Sequence, residues 1–411
     1  MDARHLTGGK PSGVGGYTLA LLRAMTASHP EHRFVILTTG SPYRCRPVAK
    51  EALGDLSGKR NVVYVHRSVV NRILNLFILL TGRPTFEQLF GEAVDVIWCP
   101  NLNFLPKSRA PRIVTFHDLS FAMMPRLYSP WRRLWHTLVR PRSIARRAAA
   151  LITPSNTTAM DLTRLYDLKT PKHREETGVT TPVPSLKRRG IEVIPHGVDE
   201  AFSPRPEPQD HGVRSRHDLP RHYLLHIGTD EPRKNLVRLV RAFEEAKRQS
   251  ETMRRLDTKL VLAGASKLES LLSTVYRLPS HSIIPLDYVK DADRPALYRG
   301  ASALVFPSLY EGFGMPILEA FASGTPVITS QNSAMLEVGG PAALFVDPEN
   351  ERDLARAIQT IVEDEKLRNH LVQVGLKRAE NYRWDKSAEA TIRVFEECIF
   401  TSQPNDHQKR T

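Results

Sequence analysis

Cysteine is scarce in this 411-residue chain: Cys45, Cys99 and Cys398 are all it has. An odd number at wide spacing excludes a disulfide framework and matches no metal-ligand pattern, so the three read as free thiols in a reducing compartment. No apolar run reaches membrane-spanning length. The N-terminus lacks the apolar core of a signal peptide, and a cytoplasmic location is expected. Acidic residues are outnumbered: 58 Lys and Arg against 44 Asp and Glu leave a net charge of +14. Such an excess suits nucleic acid, an anionic membrane surface or an anionic substrate. Nothing resembles a zinc finger, a helix-turn-helix or an aromatic RNA platform, so no nucleic-acid partner is expected.

What is present is ordinary for a globular protein, with 41% hydrophobic and 25% charged residues. The length predicts two domains. Short apolar runs at Phe34–Leu37, Val62–Val65, Val94–Cys99, Ile113–Phe116, Leu151–Thr153 and Ile191–Pro195 read as strands, with helical patterns such as Tyr17–Met25 and Arg140–Ala150 between them. The pattern restarts at Tyr223–Ile227, Leu260–Ala263, Ala303–Phe306 and Val327–Thr329. This alternation predicts two parallel α/β domains facing across a cleft, with the substrate at the carboxyl ends of the strands. The expected boundaries are 1–200 and 220–383, with Phe202–Pro220 as linker and a terminal helix over 384–400. Lys169–Gly190, polar and basic, reads as a surface insertion.

One stretch carries chemistry: Phe306–Gly324, FPSLYEGFGMPILEAFASG. It reads as strand, glycine loop, helix, with Pro316 at a helix start and Gly324 at its stop. A helix start offers unpaired N–H groups and a positive dipole end to a phosphate. Gly312 and Gly314 let backbone approach a ligand. Glu311 on the loop suits sugar hydroxyls, and Glu319, expected in the first turn, suits a ribose.

This segment resembles the Glu-x7-Glu signature of retaining glycosyltransferases, most closely those of family 4. Other landmarks of that family occur in order: DARHLTGGKPSGVGGYT at Asp2–Thr18, TFHDLSF at Thr115–Phe121, IPHGVD at Ile194–Asp199 and HIGTDEPRKN at His226–Asn235. The resemblance implies two Rossmann-like domains in a glycosyltransferase B-type fold. It implies transfer of a hexose from a nucleoside diphosphate sugar to a glycan or lipid-linked glycan. Lys234 matches the family's phosphate-binding lysine, with Arg233 beside it. Thr229 stands where many relatives carry an arginine. His117 matches the active-site histidine, and Asp118 is expected to orient its loop. Gly13, Gly15 and Gly16 resemble the loop that closes over diphosphate or acceptor. The donor site is thus expected to draw on Arg233, Lys234, Gly312, Phe313, Gly314, Met315, Glu319, Gly15 and Gly16, with His117, Glu311 and Lys234 at the reacting centre. In the family an apolar strand precedes the Asp-x-Arg segment. Here Asp2 follows Met1 directly, so that first strand is expected to be missing.

No Asp-x-Asp pair stands where a diphosphate would sit. Asp291-Ala292-Asp293 reads as a polar turn, so metal-independent transfer is expected. The YEGFGMPILEA form resembles bacterial mannosyltransferases, which points to GDP-mannose, with a UDP-sugar as the alternative donor. Val69–Gly82 is apolar, and Pro130–Arg147 mixes Trp131 and Trp135 with several arginines. Both suit membrane contact, the second with an anionic interface, and the alternative for it is a core helix with a solvated basic face. The rival readings are a sugar-nucleotide epimerase and a non-catalytic nucleotide-sugar-binding protein.

Overall fold

The computed structural model describes residues 1–8, 13–168, 190–264 and 280–402. The expected insertion lies outside the described residues except for Gly190. The chain forms two compact units, Met1–Gly197 together with Trp384–Thr411, and Val198–Arg383.

Among the described residues the first unit holds six parallel strands. β1 (Phe34–Thr39) pairs with β2 (Val62–Arg67). A second sheet runs β3 (Ile97–Cys99), β4 (Arg112–Thr115), β5 (Ala150–Thr153), β6 (Ile191–Val193) in spatial order. Met1–Ala3 joins the two: the Asp2 N–H donates to the Trp98 carbonyl at 2.9 Å, and the Ala3 N–H to the Leu37 carbonyl at 2.8 Å. The Leu37 N–H donates in turn to the Met1 carbonyl at 3.0 Å. The place of the strand expected to be missing is therefore taken by these first residues, which satisfy the facing edges of β1 and β3. Asp2 and Arg4 form a buried bidentate pair, with bonds of 2.8 and 2.7 Å.

Successive strand residues face opposite sides, and both sides are covered. Ile36, Trp98, Ile113 and Ile152 pack with helix α1 (Gly13–Ser28) and the terminal helix Trp384–Ser402. Leu37, Ile97, Val114 and Leu151 pack on the other face with Leu74 and Ile78 of α2 (Asn71–Thr81). The basic segment Pro130–Arg147 forms two helices, α3 (Pro130–Val139) and α4 (Pro141–Arg147). Pro141 disfavours continued α conformation at Arg140, which turns left-handed at φ 56°.

Among the described residues the second unit forms a parallel sheet in the order β12-β11-β10-β7-β8-β9. The strands are β7 (Tyr223–Ile227), β8 (Lys259–Ala263), β9 (Ile283–Leu286), β10 (Ala303–Phe306), β11 (Val327–Ser330) and β12 (Ala343–Val346). The expected linker is not loose chain: it carries α5 (Gln209–Arg216), whose Val213 is buried in this unit's core. Arg299 clamps Asp210 of that helix with bonds of 2.9 and 2.6 Å.

Candidate active site

The strand order dictates where a ligand sits in the second unit. The chain steps outward from β7 to β9, then returns to start β10 on the other side of β7. Loops leaving β7 and β10 diverge there, and the crevice at their carboxyl ends is the topological switch point of a doubly wound sheet.

Both loops carry charge into that crevice. After β7 the chain makes a short turn over Pro232–Lys234, then Asn235 at φ 62° before helix α6 (Leu236–Gln249). Asn tolerates that conformation better than most residues. Its side-chain amide donates to the Pro307 carbonyl at 3.1 Å and the Pro348 carbonyl at 2.7 Å. The Leu309 N–H donates to the Arg233 carbonyl at 2.7 Å. The β7 loop is thereby stitched to the β10 loop. The result is a compact cluster: Lys234 Nζ donates to Glu311 Oε1 at 2.6 Å, and Arg233 Nη1 to Glu311 Oε2 at 2.6 Å. Arg233 Nε also donates to Glu231 at 2.9 Å. Burial alone would push the Glu311 carboxyl up; Lys234 and Arg233 outweigh it and hold it down at about 2. Lys234 also lies over the Phe306 ring, 4.7 Å from its centroid.

Past Glu311, Gly314 adopts φ +106°, a conformation that favours glycine, and opens helix α8 (Met315–Ala322). Phe313 is buried and sets its ring edge-on to Tyr382, so a ligand at this loop meets its backbone. Glu319 is not in the first turn as expected. The helix begins at Met315, so Glu319 falls in its second turn, facing the core. Arg294 grips both its oxygens, and the Tyr298 hydroxyl donates to Oε2 at 2.7 Å. Burial and the Glu319 charge push the Tyr298 phenol well up.

Sequence reasoning missed Arg294 and Tyr298, which lie on α7 (Arg294–Gly300), and His226 in β7. His226 is fully buried, its Nδ1 3.0 Å from the Val305 carbonyl. Its Nε2 has no partner among the described residues. A carbonyl only accepts, so Nδ1 carries the proton and Nε2 is a lone acceptor beneath the cluster. A polar residue in an otherwise apolar strand was the available signal.

Two family profiles match the chain: one described as glycosyltransferase family 4 over residues 11–179, and one described as glycosyl transferases group 1 over residues 211–378. The chain is a glycosyltransferase of the family 4 type. This glycosyltransferase is similar to O-antigen chain mannosyltransferase B of Escherichia coli, 29% identical over 93% of this chain and 96% of that protein. It is 27% identical to MMP alpha-(1->4)-mannosyltransferase of Mycolicibacterium hassiacum, over 66% of this chain and 59% of that protein. Its fold matches sucrose-phosphate synthase from Thermosynechococcus elongatus with a TM-score of 0.69, at 18% identity and 98% coverage of both chains. The fold is thus the B-type one, two Rossmann-like α/β domains.

The first unit of the glycosyltransferase carries the other expected site residues. Gly15 and Gly16 are not in a loop: α1 starts at Gly13, and both lie in its first turn. His117 follows β4. Its Nε2 lies 2.8 Å from the Pro100 carbonyl, and its ring packs edge-on to Tyr17 with centroids 4.6 Å apart. Burial lowers its pKa, so the neutral ring donates from Nε2 and presents Nδ1 as an acceptor. Asp118 accepts from the Ser120 N–H at 2.9 Å and so orients the turn after His117.

Proposed function

We propose that this glycosyltransferase moves a hexose, with retention, from a nucleoside diphosphate sugar to a glycan or lipid-linked glycan. The observation that carries the reading is the Arg233–Lys234–Glu311 cluster at the switch point, beside the start of α8. The diphosphate binds Lys234, Arg233 and the backbone amides around Gly312, Gly314 and Met315. It competes there with Glu311, whose carboxylate then turns to the sugar hydroxyls. As the sugar–phosphate bond breaks, charge grows on the phosphate next to two cations, which lowers the barrier. The phosphate oxygen takes the proton of the acceptor hydroxyl as that hydroxyl attacks the same face of the sugar. His117 accepts a hydrogen bond from a sugar hydroxyl, and Glu319 holds the ribose.

The two mannosyltransferase relatives make mannose the first sugar to test, with GDP-mannose as donor. No divalent ion is assigned a role. The Asp291–Asp293 turn is committed elsewhere, since Asp293 accepts from Arg216 at 2.7 Å and lies 3.0 Å from His217 Nε2. Acceptor delivery from an anionic membrane is supported by the first unit's surface. Ile73, Leu76, Phe77 and Leu80 of α2 are exposed, as are Trp131, Leu134, Trp135 and Leu138 of α3. The ends of both helices border one groove with Lys107, Arg112, Arg140 and Arg147. No helix among the described residues is long and apolar enough to cross a membrane.

Thermal unfolding with UDP, GDP, ADP and their sugars tests the donor, since a ligand of the native state alone raises the midpoint. GDP and GDP-mannose are expected to give the largest shift, and mannose from labelled donor to appear on a lipid-extract acceptor. Donor epimerisation without acceptor, or binding with no transfer to any extract, would overturn the reading.

A further inference from the structure

The turn between α1 and β1 reads His29-Pro30-Glu31-His32-Arg33. Its backbone closes with the His32 N–H donating to the His29 carbonyl at 3.3 Å, which brings the two rings to 5.9 Å between centroids, 29° from parallel. Glu31 Oε1 lies 3.0 Å from His29 Nδ1 and 3.9 Å from His32 Nε2. One donor atom from each of the three lies within 4.8 Å of the others. A fourth oxygen comes from a distant part of the sequence: Glu396 of the terminal helix places Oε1 3.2 Å from His32 Nε2. The neighbouring cation is turned aside, since Arg33 makes a bidentate pair with Glu92 at 2.7 and 3.0 Å.

We propose that His29, Glu31, His32 and Glu396 form a structural site for a zinc-class divalent cation. Imidazole nitrogen and carboxylate oxygen are the donors such an ion takes, four in number and roughly 2.0–2.2 Å from it. Tetrahedral ligands at that radius stand roughly 3.3 Å apart, so the three ligands of the turn close up from their present spacing while the Glu396 carboxylate swings in from beside His32. Four protein ligands leave no open coordination position, which marks a structural rather than a catalytic ion. The ion would tie the terminal helix, by which the chain returns to this unit, to the turn before β1. Glu31, His32 and Glu396 also line a surface groove, which supplies the entry path. None of the four belongs to the transfer site.

Calorimetric titration of the metal-free full chain with zinc is expected to show one saturable ion per chain, with a rise in unfolding midpoint. His29→Ala/His32→Ala should abolish both effects, and Glu396→Gln should weaken binding by about tenfold or more. Cobalt should give the absorption of a tetrahedral ion in the parent only. Equal zinc affinity in parent and double variant would place the ion at other histidines and overturn the site, as would no saturable binding by the parent. The variants' folding is checked by their midpoints in chelator. If the double variant does not fold, Glu31→Gln/Glu396→Gln takes its place with the same expected loss.

Discussion

Lys234 donates to Glu311 at 2.6 Å, so the cation expected to meet the diphosphate is held by the acid expected to meet the sugar. Two roles that read as independent in the sequence are coupled in space. Arg233 and Glu231 complete the arrangement, and two cations face two carboxylates. In the proposed reaction a donor engages this cluster by exchange: its phosphates replace the carboxylate on Lys234, and its hydroxyls receive the carboxylate that is freed.

That exchange makes Lys234 matter most as the phosphate leaves. Lys234→Ala is expected to lower kcat by roughly 100- to 1000-fold, the size seen when one donor to a developing anion is lost. Donor affinity should fall much less, because Arg233 and the α8 amides remain. Steady-state kinetics with a parallel donor titration checks this. A variant that transfers at the parent rate would show that Lys234 does not meet the leaving group.

Glu319 has a structural duty beside its proposed hold on the ribose. Glu319→Ala leaves the Arg294 guanidinium and the buried Tyr298 hydroxyl without their partner, and is expected to cost roughly 3 kcal/mol of stability. Glu319→Gln keeps an acceptor for Tyr298 and should cost clearly less. Denaturant unfolding of both variants measures the difference, and donor affinity of the Gln variant tests the ribose contact. A Gln variant that binds donor as the parent does would reduce Glu319 to its structural role.

The strand–loop–helix around Glu311 was legible because it is local: an apolar run, a glycine that must take positive φ, and a proline at a helix start. The loop carrying Arg233 and Lys234 was legible on the same terms. The partners of Glu319 were not, since Arg294 and Tyr298 reach it only through packing of α7 on α8. The helix Gln209–Arg216 has one buried apolar residue, Val213, and no periodicity to betray it. The role of Met1–Ala3 was hidden because three residues make no strand pattern. Only the edges offered by Leu37 and Trp98 give them a place. The break at Arg140 is marked in the sequence by Pro141.

Acid should destabilise the protein in two separable steps. Burial lowers the His226 pKa from 6.5 to about 4. Between those values the unfolded chain binds the proton and the native state does not, so stability falls as pH drops from 6.5 toward 4. One such histidine contributes on the order of 3 kcal/mol across that window. His226→Asn, which keeps a donor for the Val305 carbonyl, should flatten the slope by about one proton there. Glu311 acts lower: its native pKa of about 2 stabilises above the unfolded value of 4.5 and is lost as pH falls through 2. Glu311→Gln should lower stability at neutral pH and remove the slope between pH 4.5 and 2. Urea unfolding at a series of pH values separates the two. An unchanged slope between pH 4 and 6.5 in His226→Asn would show that His226 does not resist protonation.

Transfer is expected to survive excess chelator. In the proposed reaction the charge on the leaving phosphate is met by Lys234, Arg233 and the start of α8, and the Asp293 oxygens already accept from Arg216 and lie against His217. Initial rates with and without chelator, measured well below the unfolding midpoint, should agree within about twofold. Loss of activity restored by magnesium or manganese would reveal a catalytic ion at the donor site.

The exposed faces of α2 and α3 predict where the protein meets a bilayer. Leu80 is 72% exposed and Trp131 80%, which is unusual for such large apolar groups. Exposed Arg132, Arg133, Arg142 and Arg147 on α3 and α4 supply charge of the sign an anionic surface attracts. The full chain is therefore expected to co-sediment with vesicles containing anionic lipid and to ignore neutral ones. Rising salt should weaken the binding, because such attractions are screened over about 10 Å at 0.1 M. Replacing those four arginines by Gln should remove the salt-sensitive part. Replacing Phe77 and Leu80 by Ser should remove the part that persists at high salt, since that part is apolar burial in the interface. The two sets of changes act on different terms, so their effects should add. A parent protein that ignores anionic vesicles at low salt would leave both faces without a membrane role and point to a soluble glycan as acceptor.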